Sequence, residues 1–317
     1  VDAMRLGSLT LGEVRQRLQK DALLLDIPPY LTVIGCREPG FAEALCAMYA
    51  DYRLLPAEAL DESFQEVHLH IARTGPLGRF GPHRQIALGL GGNFPFNPLP
   101  LGQAFPMFEW ALNWCVTNYL HTRITFHAAG LGFTDSQGEA AAIILPGAPG
   151  AGKSTLTAAA LERNFTLLSD ELCLLDPETG TLLPVPRPVS LKGASIDVIR
   201  QRQPAAILTE PVHDTTKGTV AHVKPPTTRL GPAGREATPR LVIFPRFSAG
   251  AALACEPVPT GRALLRLAEQ SFNLNLHGEE GFFCMTRLMQ GIEAWDLTYG
   301  DLDAALDWME QLSGEVT

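Results

Sequence analysis

The stretch that decides the fold is AAAIILPGAPGAGKSTLTAAAL, residues 140–161. An apolar run stops at Pro146, a glycine-dense loop follows, and an alanine-rich segment begins after Ser154. A short apolar run bounded by a turn predicts a buried strand, and alanine favours helix. The stretch is therefore predicted to fold as a strand, a loop and a helix over about residues 152–163.

The loop, GAPGAGKS at 147–154, fits the pattern G-x-x-x-x-G-K-[ST] in full. In such loops successive backbone N–H groups surround a phosphate, and glycines allow turns that a Cβ would block. Lys153 would place its charge between the β- and γ-phosphates, and the Ser154 hydroxyl would bind Mg²⁺. The predicted nucleotide contacts of this Walker A P-loop are Gly147, Ala148, Pro149, Gly150, Ala151, Gly152, Lys153, Ser154 and Thr155.

A site that transfers or hydrolyses phosphate also needs a carboxylate to hold Mg²⁺ or to accept a proton. Two apolar runs end in Asp. TLLSDE places Asp170 and Glu171 at a predicted strand end, 17 and 18 residues after Lys153. Asp176 begins DPETG, which is typical of a hairpin turn. We therefore favour Asp170 and Glu171 as the acids of the site.

The nucleotide is expected to be ATP with Mg²⁺. The chain contains no N-K-x-D element, so the usual guanine-reading loop is missing.

Together the P-loop, the adjacent acids and His127 on the preceding strand resemble the HPr kinase/phosphorylase fold, most of all the subgroup called HprK-related kinase A. The resemblance implies that Asp170 deprotonates an acceptor hydroxyl while Glu171 helps with metal or orientation. It also implies that His127 lies near the transferred phosphate. It is strong over about residues 120–225 and thin in the first 100.

A second match is SLKGASIDVIR at 190–200, which occupies the place of the HPr kinase signature. Lys192 falls where that family has an arginine and is implied to be catalytic. Ser190 stands where it has a glutamate. This departure argues against HPr as the acceptor and against the reverse phosphorolysis reaction.

Residues 187–240 form a basic region in an acidic chain: nine Lys/Arg stand against four Asp/Glu, whereas the whole chain carries −9. Nine prolines in 184–239 and no convincing long helix predict mobile loops around a site. Arg187, Lys192, Lys217 and His222 are the candidates to neutralise the transferring phosphoryl group or to hold the acceptor. Each one alone is more typical of a surface residue, and the set in one basic region is what points to a site.

The fold class expected from these patterns is α/β. A kinase domain of the HPr-kinase C-terminal type, with a central mixed sheet and flanking helices, would occupy residues 119–317. A smaller α/β domain of unknown role would occupy 1–118. The aromatic residues Phe105, Phe108, Trp110 and Trp114 recur near helical spacing and predict core packing or a domain contact.

Composition excludes several other classes. The net charge of −9 argues against general nucleic-acid binding, and no apolar run is long enough to cross a membrane. No secretory signal is recognisable at the start. The cysteines lie at least ten residues apart, which excludes CxxC pairs and favours reduced, buried thiols. We expect a cytoplasmic protein.

The favoured function is a kinase that moves the γ-phosphoryl group of ATP·Mg²⁺ to a Ser or Thr hydroxyl of a peptide or small protein. Two alternatives stay open. One is a kinase for a free metabolite such as an amino acid or sugar alcohol, and the other is a module that senses ATP without phosphorylating anything. The sequence leaves open whether the chain forms a homo-oligomer.

Overall fold

The computed structural model describes residues 4–56, 66–74, 85–230 and 236–316. The chain divides into two compact units. The first comprises Val1–Val116, Lys192–Ile196 and Ala205–Lys224, and the second comprises Thr117–Leu191, Asp197–Pro204 and Pro225–Thr317. In the described part, no helix is long and apolar enough to cross a membrane.

In its described ranges, the first unit is built on a six-stranded mixed sheet in the order β3-β1-β2-β4-β5-β6, where β2 and β4 pair in parallel and the other pairs are antiparallel. Its strands are β1 (Leu23–Ile27), β2 (Tyr30–Cys36), β3 (Leu54–Leu55), β4 (Glu66–Arg73), β5 (Gln85–Leu90) and β6 (Leu99–Pro100). Helices α1 (Leu11–Gln19), α2 (Pro39–Tyr49) and α3 (Ala104–Tyr119) complete this part of the chain.

Helix α1 begins at a capping box. The Thr10 hydroxyl accepts from the backbone of Glu13, whose carboxylate accepts from the backbone of Thr10. The apolar run Leu23–Leu25 follows α1 closely in sequence but belongs to β1. Asp21 has a φ of 54°, a left-handed conformation that an α-helix cannot include, so the chain turns before the run begins.

The second unit contains the 140–161 stretch, which folds as predicted: β8 (Ala140–Pro146), a loop and α4 (Lys153–Ala160). The other elements near it are β7 (Ile124–Thr134), β9 (Thr166–Ser169), β10 (Leu172–Leu175), β11 (Leu182–Leu183), β15 (Thr238–Phe247), β16 (Ala254–Pro257), α6 (Thr260–Ala268), α7 (Gly278–Gln290), β17 (Glu293–Tyr299) and α8 (Leu302–Glu315). The sheet has the order β11-β10-β7-β8-β15-β17-β16, and β9 also pairs with β7.

Within this sheet β8, β15 and β17 are parallel, and the remaining pairs are antiparallel. Its core is built from strand residues such as Phe126, Ile144 and Val242 and from Met285 and Leu267 of the helices. The predicted α/β class, with mixed sheets and flanking helices, is confirmed.

Between β11 and β15 the chain forms β12 (Val189–Lys192), α5 (Ala194–Arg202) and the hairpin of β13 (Val212–Thr215) with β14 (Gly218–Val223). As expected, no helix in the described part of this region is longer than the nine residues of α5, but strands and a helix stand where loops were predicted. The prolines of 184–226 lie between these elements rather than inside them, so they end elements without preventing them, whereas Pro239 is the second residue of β15. Residues 231–235 of the basic region lie outside the described residues.

Helix α7 was not predicted. Two glycines and a threonine weaken its local helix propensity. Its buried side is nevertheless periodic, with Gly281, Cys284, Met285, Leu288 and Met289 facing the core. Gly281 is required there, since a Cβ would lie 2.6 Å from the Cβ of His277.

The aromatic prediction for α3 is confirmed in part. Phe105 and Phe108 are buried and contact Phe41 and Tyr49, whereas Trp110 is only half-buried. All six cysteines are free.

Candidate phosphate-binding site

The glycine-rich loop connects the end of β8 to the start of α4. Gly150 and Gly152 have φ values of 86° and 95°, which L-amino acids with a side chain rarely adopt. The backbone N–H of Ala151 closes the turn on the carbonyl of Ala148 at 3.2 Å. These glycines give the loop the tight curvature that lets backbone N–H groups converge on an anion.

Hydrogen bonds from the ends of the neighbouring parallel strands β15 and β17 hold the loop in place. The Phe247 backbone N–H donates to the carbonyl of Ala151 at 3.1 Å, and the Tyr299 hydroxyl donates to that of Gly152 at 3.4 Å. A Cβ on Gly152 would stand only 2.5 Å from the Tyr299 hydroxyl. Burial raises the pKa of Tyr299 to about 12, so this hydroxyl remains a donor at neutral pH.

Lys153 is the first residue of α4, and it is buried. Its ammonium group donates to the carbonyl oxygens of Gly147 and Ala148, the latter at 3.3 Å. The positive charge is thus held against the loop itself, at the N-terminus of a helix whose dipole also favours an anion. A phosphate in the loop would meet both.

Ser154 and Asp170 lie in contact. The Ser154 hydroxyl donates to Asp170 Oδ2 at 3.2 Å, and the same oxygen accepts from the backbone N–H of Ser190 at 2.9 Å. Asp170 is buried. The two oxygen groups that the sequence predicts for Mg²⁺ are therefore brought together, across 16 positions of the chain.

Asp170 and Glu171 interrupt what is otherwise one strand. β9 and β10 both pair antiparallel with β7, and the register of Ser169 with Gly130 continues into that of Leu172 with His127. The two acids therefore lie beside the central part of β7, which also pairs with Pro146 just before the glycine-rich loop. Because the acids and the end of β8 both lie next to the same part of β7, Asp170 can reach Ser154 at the start of α4.

His127 pairs with Leu172, directly after the acids, so it lies on the strand adjoining them. Its backbone N–H donates to the carbonyl of Gln270 at 2.8 Å, and its ring centroid lies 6.1 Å from that of Phe272. The part of His127 in the site stays a prediction.

Asp176 makes the turn that its sequence context suggests. Its carboxylate accepts from the backbone N–H groups of Glu178 and Thr179 at 2.8 and 3.3 Å, and it forms an ion pair with Arg123 at 3.1 Å. These contacts account for its charge, which leaves Asp170 as the better candidate for chemistry.

The remaining predicted residues divide between the units. Arg187 is buried in the second unit, between β11 and β12. Lys192, Lys217 and His222 belong to the first unit. There the ammonium group of Lys217 lies 5.5 Å from the ring centroid of Trp110, and His222 is buried with its ring edge-on to Phe105 at 5.2 Å. Their assignment to an acceptor remains a prediction.

Sequence reasoning missed two residues of the site. Ser190 was noted only as a departure from a signature, yet its backbone holds Asp170. Tyr299 is the last residue of β17, but nothing in the local sequence points to the glycine-rich loop 147 positions away. Both contacts depend on which strands become neighbours.

Comparison with known proteins adds no assignment. A scan against models of protein families found no match, and a search of curated proteins found no significant match. In the described ranges there is also no cluster of three or more His, Cys, Asp or Glu that could hold a metal by itself. A hydroxyl with a carboxylate suits Mg²⁺ that takes its other ligands from substrate phosphates and water.

Proposed function

We propose that this chain is a P-loop phosphotransferase that moves the γ-phosphoryl group of ATP to a hydroxyl of a peptide or small protein. The observation that carries the proposal is the contact of the Ser154 hydroxyl with Asp170 beside the glycine loop. It joins a phosphate-binding loop to a carboxylate, as phosphoryl transfer requires. The resemblance to the HPr kinase/phosphorylase fold supports the same reaction.

In this mechanism the chain's main work is positioning and charge neutralisation. The loop N–H groups and Lys153 would hold the nucleotide phosphates, with Lys153 exchanging its loop carbonyl contacts for phosphate oxygens. Ser154, Asp170 and Glu171 would hold Mg²⁺. When bound, the metal supplies positive charge that stabilises the transferring phosphoryl group.

Asp170 also fits the role of general base, which the family resemblance implies. Its Oδ2 atom is occupied by Ser154 and the Ser190 N–H, an arrangement that favours metal ligation by the same carboxylate. The two roles give different results on substitution. Loss of a base would abolish transfer without loss of ATP affinity, whereas loss of a metal ligand would weaken the binding of ATP in the presence of Mg²⁺.

The first experiment incubates the protein with Mg²⁺ and γ-labelled ATP, with and without a degenerate Ser/Thr peptide library. Lys153→Ala and Asp170→Asn should each reduce labelling of peptide at least 100-fold. Asp176→Asn is the matched control, because Asp176 also follows an apolar run but is committed to a turn. It should retain labelling in correctly folded protein, as checked by circular dichroism.

Other outcomes would change the assignment. Transfer at the wild-type rate by Asp170→Asn would refute its role in chemistry. Label that moves to a metabolite but not to peptide would identify a small-molecule kinase. ATP binding without transfer to any peptide or metabolite tested would instead support the sensing module.

A further inference from the structure

A cavity of about 220 Å³ lies in the second unit. Its lining includes neither the glycine-rich loop nor Asp170 and Glu171. Its walls come from the turn after β10, the start of β15 and the C-terminal half of α7. Two arginines, Arg240 and Arg287, line it together with the threonines Thr179 and Thr238. These two guanidinium groups place two positive charges at one cavity.

Neither arginine has a carboxylate partner among the described residues. The Nε atom of Arg240 is buried and has no hydrogen-bond partner there, which costs free energy unless a ligand or water meets it. By contrast, Arg123, Arg163, Arg202 and Arg266 of the same unit all pair with Asp or Glu. The pair at the cavity is therefore available to an anion from outside the chain.

The backbone places each of these side chains at the cavity. In β15, Pro239 pairs with Ala142 and Leu241 with Ile143, so Arg240 is an extra residue at a β-bulge. Bulges redirect a side chain out of the regular alternation of a strand. Arg287 is held from the other side by a hydrogen bond from its Nη2 atom to the carbonyl of Pro177 at 3.0 Å.

The chemistry of the lining defines the class of ligand. Guanidinium groups bind carboxylate and phosphate oxygens through paired N–H donors, and threonine hydroxyls can add further bonds. Glu178 also lines the cavity, but it is exposed, and its one negative charge stands against the two positive charges of the arginines. The volume is below the range of about 300–1,000 Å³ that is usual for larger ligands, which favours a small molecule over a nucleotide.

We propose that this cavity is a binding site for a small oxyanion, a carboxylate or a phosphate ester, held by Arg240 and Arg287. The site is independent of the proposed phosphotransfer, since its lining includes none of the residues assigned to that reaction.

The test is isothermal titration of Lys153→Ala protein with inorganic phosphate, glucose 6-phosphate and citrate in turn. The Lys153→Ala background removes the lysine charge of the P-loop, so that anion binding there does not obscure the second site. We expect saturable binding of at least one probe. Preference for the two phosphates would identify a phosphate site, and preference for citrate a carboxylate site.

In that background, Arg240→Gln and Arg287→Gln should each weaken binding about tenfold or more. Arg262→Gln is the control, because Arg262 is an exposed arginine that does not line the cavity, and it should leave the affinity unchanged. If Arg240→Gln does not fold, Arg240→Lys, which keeps the charge but loses the fork of donors, replaces it. Absence of binding by all three probes, or binding that neither cavity substitution weakens, would overturn the proposal.

Discussion

At the scale of single residues, Asp170 is the centre of the candidate site. One of its carboxylate oxygens accepts hydrogen bonds from the Ser154 hydroxyl and from the backbone N–H of Ser190. Only the first of these donors can be removed by an ordinary substitution. Substitution of the two serines therefore separates two roles: the hydroxyl of Ser154, proposed as a metal ligand, and the backbone N–H of Ser190, which holds Asp170 in place.

We predict that Ser154→Ala loses most of the increase in ATP affinity that Mg²⁺ provides, because it removes a hydroxyl proposed as a metal ligand. Ser190→Ala should bind ATP·Mg²⁺ as the wild type does, because its backbone N–H remains. The buried Ser190 hydroxyl has no hydrogen-bond partner in the described part of the chain, so its removal should leave stability unchanged or slightly higher.

Titration of each variant with ATP, with and without Mg²⁺, provides the measurement. An unchanged Mg²⁺ dependence in Ser154→Ala would remove that serine from the metal site. A large loss in Ser190→Ala would show that its hydroxyl, and not only its N–H, takes part.

At the scale of elements, the glycine-rich loop depends on the strand ends that support it. Gly150 and Gly152 are both left-handed, but they differ in surroundings. No described residue lies within 4 Å of a Cβ built on Gly150, whereas one on Gly152 would collide with the hydroxyl of Tyr299. Backbone strain and steric conflict can therefore be measured separately in one loop.

We predict that Gly150→Ala lowers the free energy of unfolding by about 1 kcal/mol, the usual cost of a left-handed residue with a side chain. Gly152→Ala should lose about 1–3 kcal/mol more, because the added methyl group also forces the packing apart. Removing the hydroxyl in Gly152→Ala/Tyr299→Phe should recover part of this extra loss. Urea denaturation measures all three, and equal losses for the two single variants would contradict the supporting role of Tyr299.

At the scale of the whole molecule, charge pairs connect distant parts of the second unit's sequence. Arg202 contacts Asp303 at the start of α8, with Nη1 3.0 Å from Oδ2, and also pairs with Glu162 after α4. Arg163 contacts Asp303, Asp307 and Glu310 along α8. This network joins α8 to the end of the helix that carries Lys153 and Ser154.

The network should make stability depend on pH at the acidic end. The hydrogen bond from Arg202 holds the pKa of Asp303 below its ordinary value of 3.8. A carboxyl group with a lowered pKa contributes stability above its unfolded-state pKa, and this contribution is lost as the pH falls through the folded-state pKa. Asp303 is largely exposed, so the contribution is limited to about 1 kcal/mol.

We therefore expect Asp303→Asn to be less stable than the wild type at neutral pH and equally stable well below pH 3.8. Asp197→Asn is the control: this exposed Asp lies 3.7 Å from Arg200 and should change stability little at any pH. Urea denaturation across the pH range measures both. A difference between Asp303→Asn and wild type that persists at low pH would assign the effect to something other than ionisation.

Several elements followed directly from the sequence. The strand, loop and helix of 140–161 and the Asp176 turn were predictable, because each depends on residues a few positions apart. The end of α1 and the existence of α7 were not. A single left-handed Asp decides the first, and packing against the core outweighs weak helix propensity in the second.

The sequence by itself determined that the chain has a glycine-rich loop between a buried strand and a helix, and that two acids follow at a fixed distance. The tertiary structure alone decided that Asp170 meets Ser154, that Ser190 and Tyr299 support the site, and that Arg240 and Arg287 share a cavity. The physical reason is the range of the interactions. Turn chemistry and propensity act between neighbours in sequence, whereas these contacts arise only when sheet order and a β-bulge bring distant residues together.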